Sequence, residues 1–207
     1  MDLHLTPSGL LVNLPDEIYN LAIKYGSGMM DSGELVYLAG ALAICPWKNR
    51  DSIVVEIGAY HGVSTVYMAK VLQLLKKHMT ILSIDPFERS RPDKLNPRGS
   101  YSAYLKTIKK SHFENTCLPL VAFSQDAAPV VADRVGLLIV DGNHQYQFVK
   151  QDLMLYGLKL LPGGIIFIDD YSSIYDGVVR ATDEYLQQNN QLTILHKTYY
   201  VIVKREF

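Results

Sequence analysis

The stretch IVVEIGAYHGVS, residues 53–64, decides the fold of this 207-residue chain. Residues 53–57 are apolar and mostly β-branched apart from Glu56, which is typical of a strand buried in a parallel sheet. Gly58 allows a sharp turn where the strand ends, and Gly62 allows the backbone to approach a ligand or the next helix. From about Ser64 the apolar residues follow helical spacing. A strand, a glycine turn and a helix are together typical of the first half of a nucleotide-binding α/β unit.

A second predicted strand, residues 80–84, ends in Asp85. An acid at this place commonly accepts hydrogen bonds from both ribose hydroxyls of a bound nucleoside. The glycine spacing departs from the dinucleotide fingerprint G-x-G-x-x-G because Tyr60 stands in it, so no glycine pair is placed for a pyrophosphate. The pattern therefore predicts a pocket for a nucleoside without phosphates. The alternative is a strand-turn-helix unit that binds no cofactor.

Three acids follow two later predicted strands. Asp141 follows residues 136–140, and Asp169 and Asp170 follow residues 165–168. These strands should be neighbours, so the acids should converge at the carboxyl edge of the sheet, where uncompensated carboxylates repel one another. A divalent cation removes this repulsion, and oxygen ligands favour Mg²⁺. The alternative is that Asp141 or Asp170 caps a helix.

A histidine accompanies these acids. His144 lies three residues beyond Asp141, just before a predicted helix at about residues 145–158. A hydroxyl is a poor nucleophile until its proton is lost, and histidine is suited to taking that proton near neutral pH. We therefore predict that His144 is a general base. The alternative is a residue that only makes hydrogen bonds at the start of the helix.

Two segments resemble a known family. GAYHGVS at residues 58–64 resembles the first motif of class I S-adenosylmethionine-dependent methyltransferases, especially catechol O-methyltransferase and its metal-dependent relatives. The pattern DGNHQY…LLPGG…DDY over residues 141–171 resembles that of the macrocin and mycinamicin sugar O-methyltransferases. Asp170 departs from the catechol enzymes, which have Asn at that place.

The resemblance implies an α/β fold of the Rossmann-like class I methyltransferase type. Its seven-stranded, mostly parallel sheet would have helices on both faces, an antiparallel last strand and the strand order 3-2-1-4-5-7-6. The implied cofactors are S-adenosyl-L-methionine and Mg²⁺. The metal ligands would be Asp141, Asp169 and Asp170, with His144 catalytic. The predicted cofactor-binding residues are Glu56, Gly58, Ala59, Tyr60, Gly62, Ser64, Asp85, Ser124, Gln125 and Asp141.

Within this set, Gln125 is expected to pair with the adenine through its side-chain amide, which can both donate and accept. Ser124 is expected to lie against the same ring, and its alternative role is the N-cap of the helix that follows.

The outer segments complete a single domain at residues 1–207, with helices in residues 1–47 before a Rossmann-like core at residues 53–207. Residues 1–12 are expected to be irregular. Asp31 and Glu34 predict a capping box at the start of the second helix. The linker at residues 29–32 is expected near the methionine end of the cofactor, or else as an ordinary loop. Residues 87–100 are expected to form either a substrate lid or a solvated loop.

Net charge, apolar runs and cysteine content limit the kinds of partner and location that we expect for the protein. Net charge is −1, so no nucleic-acid partner is expected. No apolar run has the length of a membrane span, and the amino-terminal residues lack a signal-peptide pattern. Two cysteines without metal-binding spacing favour a reduced, cytoplasmic protein. A small-molecule acceptor is expected, and self-association into a homo-oligomer stays open.

The predicted function is S-adenosylmethionine-dependent, Mg²⁺-dependent O-methylation of a hydroxyl on a small molecule, either a natural-product sugar or a catechol-like phenol. Two alternatives stay open. One is a non-catalytic partner subunit with a methyltransferase fold, against which the complete set of acids with His144 argues. The other is a nicotinamide-dependent oxidoreductase, against which the missing G-x-G-x-x-G pattern argues.

Overall fold

The computed structural model describes residues 2–5, 10–26, 29–47, 52–87 and 100–207, and of residues 2–5 and 10–13 only the backbone. The strands are β1 (Asp2–Leu5), β2 (Leu10–Asn13), β3 (Ile53–Ile57), β4 (Thr80–Ile84), β5 (Cys117–Leu120), β6 (Val135–Val140), β7 (Leu160–Ile168), β8 (Leu192–Lys197) and β9 (Val201–Arg205). The α-helices are α1 (Asp16–Tyr25), α2 (Ser32–Ile44), α3 (Val63–Leu74), α4 (Ser100–Lys110), α5 (Ser124–Ala127), α6 (Tyr146–Gly157) and α7 (Asp176–Gln188). Two single-turn 3₁₀ helices span Ala128–Val130 and Ser173–Tyr175.

Seven of the strands form one mixed sheet in the order β5-β4-β3-β6-β7-β9-β8. The first five in that order are parallel, and β9 runs antiparallel to both β7 and β8. When the core strands alone are numbered along the chain, this is the predicted order 3-2-1-4-5-7-6. The predicted Rossmann-like fold class and the antiparallel last strand are therefore confirmed.

Helices cover both faces of the sheet, and each face has its own apolar cluster. On one face, Val54 and Phe167 pack with buried residues of α1, α2, α3 and α4. On the other, Val55 and Ile168 pack with buried residues of α5, α6 and α7. Neighbouring residues of one strand therefore contribute to opposite faces, as the two-residue period of a strand requires.

The register of the parallel strands aligns their carboxyl ends. Ile57 pairs with Ile84 on one side and with Val140 on the other, and Val140 pairs with Ile168. The residues that follow these four strand ends therefore stand in one row along the edge of the sheet. They are Gly58, Asp85, Asp141 and Asp169.

The amino-terminal segments correct one prediction. Residues 1–12 are not irregular throughout, because β1 and β2 pair as antiparallel strands, with Asp2 opposite Asn13. Each strand has only four residues, which puts two side chains on each face, and so short an alternation does not stand out in a sequence. The structure confirms the capping box of α2, where Glu34 N donates to Asp31 Oδ1 at 2.9 Å and Asp31 N donates to Glu34 Oε2 at 2.7 Å.

Other features of the fold are local. Residues 161–164 lie inside β7, whose register against β6 shifts there and whose Gly163 has φ +78°. This irregularity accommodates the glycines without ending the strand. Helix α4 ends at Lys110. Most of the predicted lid, residues 88–99, lies outside the described residues. No helix in the described part of the chain is long and apolar enough to cross a membrane.

Candidate active site

The turn after β3 depends on two glycines in left-handed conformations. Gly58 has φ +94°, and a Cβ added to it would lie 1.9 Å from the carbonyl oxygen of Asp141. Gly62 has φ +75°, and its added Cβ would lie 2.8 Å from the Tyr104 ring. Tyr60 between them also has positive φ, +45°, which is uncommon for a residue with a large side chain. This loop is therefore held close to the loop after β6 by backbone contact.

Asp85 holds this glycine loop from the next strand. Its Oδ2 accepts the backbone N–H of Tyr60 at 2.8 Å, and its Oδ1 accepts that of Phe87 at 2.6 Å. A carboxylate can accept about four hydrogen bonds, so both oxygens retain capacity for the two hydroxyls of a ribose. The structure thus places Asp85 where the sequence predicted it and adds a second role, the shaping of the loop.

Glu56 lies beneath the loop, with 1% of its surface exposed. Its carboxylate accepts hydrogen bonds from the hydroxyl groups of Ser64 at 2.6 Å, Thr65 at 2.5 Å and Ser83 at 2.7 Å. Burial raises the pKa of Glu56, and the three hydroxyls act in the opposite direction. These bonds tie β3 to α3 and β4. Contact of Glu56, Ser64 or the buried Ala59 with a cofactor stays a prediction.

The segment after β5 is braced by α6. Ser124 is the first residue of α5, whose N-cap is Phe123, so the alternative that Ser124 is the N-cap is wrong. Tyr156 donates its hydroxyl to the Ser124 carbonyl oxygen at 2.6 Å. Asp152 is 2% exposed, and burial raises its pKa to about 6 although a hydrogen bond with Ser124 acts the other way. The sequence did not single out Asp152 or Tyr156. Gln125 follows Ser124 and is partly exposed.

A group of metal-ligating atoms lies at the ends of β6 and β7. Asp141, His144 and Asp170 each offer one ligand atom, and these atoms lie within 4.8 Å of one another. His144 Nε2 is 2.9 Å from Asp170 Oδ2. Nε2 itself is shielded from solvent, and its approach to Asp170 lacks hydrogen-bond geometry; it is an ion pair when the imidazole is protonated. Asp170 has φ +55°, a conformation that Asp tolerates better than most residues.

Asp169, which was predicted with Asp141 and Asp170, is not one of these three grouped residues, but its charge raises the pKa of Asp141 ahead of the charge of Asp170, so it lies nearby. It is 6% exposed, and its Oδ1 accepts the backbone N–H of Asp170 at 2.9 Å. Burial, followed by the charge of Glu34, raises the pKa of Asp169 to about 7. The two-residue period of β7 explains the direction of the Asp169 side chain. Ile168 belongs to the face of α6 and α7, so Asp169 turns to the opposite face, where α2 brings Glu34.

Glu34 was missed as a site residue because the capping box already explained it. The pKa of Glu34 is raised, first by burial. The pKa of Asp141 is raised well above its usual value by burial and then by the charges of Asp169 and Asp170. Carboxyls packed this closely retain protons unless a cation compensates them. Two carboxylate oxygens and one imidazole nitrogen form a donor set that fits a divalent cation.

An open cavity of about 500 Å³ adjoins this group. The His144 ring lies on its wall, 4.3 Å from the centroid of the Tyr175 ring. Gly177 allows α7 to lie close to the loop that carries His144, because a Cβ at this position would lie 2.4 Å from the His144 carbonyl oxygen. The lining residues are Gly142, Asn143, His144, Gln145, Tyr146, Ile174, Tyr175, Asp176, Gly177 and Arg180. A cavity of this size suits a small molecule.

Residues 55–171 match a family described as a methyltransferase domain, over more than half of the chain. The chain belongs to this methyltransferase family. The matched range contains every predicted site residue, from Glu56 to Asp170, and the predicted methyltransferase family is confirmed.

Individual proteins similar to this methyltransferase are more distant. A protein of Acanthamoeba polyphaga mimivirus, described as uncharacterized, is 30% identical over 133 residues, which cover 60% of this chain and 54% of that protein. The chain thus spans about half the length of that curated relative. The O-methyltransferase NovP is 16% identical with a TM-score of 0.71, over 87% of this chain and 82% of that one. The O-methyltransferase TomG of Streptomyces achromogenes, solved with S-adenosylmethionine, is 14% identical with a TM-score of 0.61, over 95% and 92%.

Proposed function

We propose that this methyltransferase transfers the methyl group of S-adenosyl-L-methionine to a hydroxyl of a small molecule and requires a divalent cation, Mg²⁺, for that reaction. The observation that carries the proposal is the row of strand ends. It places the glycine loop between Asp85 and Asp141, and Asp141 beside the ligand atoms of His144 and Asp170. NovP and TomG are O-methyltransferases, and TomG binds S-adenosylmethionine, which supports the same chemistry here.

The chain's own groups suit the cofactor's parts. Gly58 and Gly62 let the loop backbone approach a ligand, and Asp85 retains acceptor capacity for ribose hydroxyls. The segment containing Ser124 and Gln125 is proposed to bind the adenine. A single domain at residues 1–207 supplies all of these groups, and the cytoplasm is the proposed location.

The acceptor is proposed to enter the cavity beside His144, with its hydroxyl toward Asp170. In the reaction the bond from the methyl carbon to the sulfonium sulfur breaks as a bond to the acceptor oxygen forms, and the hydroxyl proton passes to the imidazole of His144, which lines the cavity. A bound divalent cation would lower the pKa of that hydroxyl and compensate the acids. His144 lies on the cavity wall, as a general base requires, and its imidazole nitrogen is also near enough to the carboxylates to bind the cation.

The test uses the purified chain and calorimetric titration with S-adenosylmethionine and, separately, with NAD. We expect binding of S-adenosylmethionine only. Gly58→Ala should abolish it, because the added Cβ would overlap the Asp141 carbonyl oxygen. Gly163→Ala is the matched control, since Gly163 also has positive φ but has open space around it.

The metal is tested by transfer of a labelled methyl group to a panel of sugar and phenol acceptors, after treatment with a chelator and after return of Mg²⁺. Loss of transfer in chelator and recovery with Mg²⁺ are expected. Binding of NAD instead of S-adenosylmethionine, or full transfer in chelator, would contradict the proposal.

A further inference from the structure

We infer that the acceptor carries an anionic group, a carboxylate or a phosphate, and that the guanidinium of Arg180 binds this group while the acceptor hydroxyl lies at His144. The inference rests on the proposed function, because it concerns the acceptor proposed to enter the same cavity. It makes Arg180 a specificity-determining residue, a role that no pattern in the sequence assigned to it.

Arg180 lies on the wall of the cavity that His144 also lines. Of the described residues on that wall, Arg180 is the single Lys or Arg, and 63% of its side chain is exposed. It is placed one turn into α7, after Asp176 and Gly177, which line the same cavity. An acceptor bound there would therefore be within reach of one permanently charged cation.

The guanidinium is held in place by an aromatic ring. Its central carbon lies 4.8 Å from the centroid of the Tyr146 ring. Tyr146 is itself fixed, because its hydroxyl donates to Glu184 and accepts from Lys150 Nζ at 3.0 Å. Lys150 and Glu184 pair with each other at 2.8 Å, so they hold the ring without adding net charge. Packing on a fixed ring restricts the guanidinium and leaves less freedom to be lost when an anion binds.

The donors of this guanidinium are available to a ligand. Within the described part of the chain its ion pair is with Asp176, where Nη1 lies 3.7 Å from Oδ2. That distance is too long for a hydrogen bond, and the two side chains are 63% and 74% exposed. Exposed ion pairs of this kind contribute little. A carboxylate or a phosphate accepts two parallel N–H bonds from one guanidinium, so it can displace Asp176.

A neutral acceptor would gain less from the same residue. A hydrogen bond to an uncharged hydroxyl is about half as strong as one to an ionised oxygen. A neutral group would also have to compete with the carboxylate of Asp176 for the guanidinium. The geometry therefore favours acceptors that carry a negative charge in addition to the hydroxyl that is methylated.

The experiment compares matched neutral and anionic probes in the presence of Mg²⁺. One set is catechol and 3,4-dihydroxybenzoate, and the other is glucose, glucuronate and glucose 6-phosphate. Dissociation constants are measured by ligand-observed NMR, which detects weak binding. The variants are Arg180→Gln and Asp176→Asn. The control is Arg134→Gln, because Arg134 is exposed and directly precedes β6, at the end of the sheet opposite the cavity.

The wild type should bind the anionic member of at least one set about tenfold more tightly than the neutral member. Arg180→Gln should remove this preference, and Arg134→Gln should keep it. Asp176→Asn should increase the preference a few-fold, because it removes the competing carboxylate. The two cavity variants act in opposite directions, so a general loss of folding cannot produce the pattern. The ratio of glucuronate to glucose 6-phosphate binding shows which anion is preferred.

Equal binding of neutral and anionic probes by the wild type, or no binding of any probe, would overturn the inference. An unchanged preference in Arg180→Gln would do the same. None of these results alters the titration with S-adenosylmethionine or the chelator test, which decide the proposed function separately.

Discussion

Gly177→Ala should weaken cation binding at the group formed by Asp141, His144 and Asp170, while leaving the fold nearly as stable as before. Gly177 is the second residue of α7, where Ala would ordinarily stabilise a helix by up to about 1 kcal/mol relative to Gly. Here the added Cβ would lie 2.4 Å from the His144 carbonyl oxygen and 2.6 Å from the Tyr146 backbone nitrogen. Both are backbone atoms, so rotation of a side chain cannot relieve the overlap.

The size of the effect follows from these distances. Ordinary contacts of a Cβ begin at 3.4 Å, so α7 and the loop at residues 144–146 must separate by about 1 Å. α7 is anchored by Val178 and Ala181, which are 2% and 0% exposed, so the loop should move. Overpacking costs about 1–3 kcal/mol, which the better helix propensity partly offsets. The net loss of stability should be about 0–2 kcal/mol, while a shift of about 1 Å in His144 should weaken cation binding by about tenfold to a hundredfold.

The assays are Mn²⁺ affinity, S-adenosylmethionine affinity and the midpoint of thermal unfolding. Cation affinity should fall and S-adenosylmethionine affinity should stay within a few-fold, since the glycine loop after β3 does not contact Gly177. Gly163→Ala is the control, which should lower stability while leaving both affinities unchanged. Its positive φ of +78° strains an alanine by about 1 kcal/mol, and no atom lies within 4 Å of the new Cβ. If Gly177→Ala raises the unfolding midpoint and keeps full cation affinity, the packing of α7 does not position His144.

Three further variants test other contacts. Asp85→Asn should weaken S-adenosylmethionine binding about tenfold or more, because one of the two backbone N–H groups that the carboxylate accepts would then face an amide donor. The control is Glu114→Gln, which removes the same charge from an exposed residue and should leave the binding unchanged. Tyr156→Phe removes the hydroxyl bonded to the Ser124 carbonyl and should destabilise the protein by about 1 kcal/mol in urea unfolding, with weaker cofactor binding. Asp152→Asn tests the pKa of about 6, which exceeds the unfolded value of 3.8, so the wild type should lose stability as pH rises from about 4 to 6. The variant should lack that loss and exceed the wild type at pH 7 by up to about 3 kcal/mol, and equal slopes in both proteins would refute the assignment.

Much of this arrangement could be predicted from local sequence, and the features that could not be predicted share a common cause. The buried strand at residues 53–57, the capping box and the convergence of acids at one edge depend on periods and spacings that a sequence displays. The divergence of Asp169 from Asp170 depends on the side from which each leaves β7, and on a left-handed φ that Asp adopts without a glycine signal. The approach of Glu34 depends on how α2 packs, which spacing along the chain does not encode.

The same dependence on packing explains why Asp85 could be predicted as a site residue from the sequence and Asp152 could not. Asp85 could be predicted because it ends a strand beside the glycine turn, although its bonds to backbone N–H groups could not. Asp152 sits on α6 among polar and apolar residues, and nothing in the helical pattern distinguishes it from a solvent-exposed acid. Only the packing of α6 beneath Ser124 makes it buried and raises its pKa.

Backbone contact, more than side-chain contact, joins the glycine loop after β3 to the loop that begins with Asp141. Gly58 lies so close to Asp141 that a single Cβ would overlap the Asp141 carbonyl oxygen, and the N–H of Asp141 donates to Ile57 at 3.0 Å. Asp141 therefore cannot shift relative to the glycine loop without breaking the β3–β6 ladder. Its carboxylate, fixed by this backbone, is also one of the three atoms grouped with His144. A group fixed to both loops can hold a methyl donor and a hydroxyl acceptor in one geometry, and such positioning lowers the barrier to transfer without any movement at the moment of reaction.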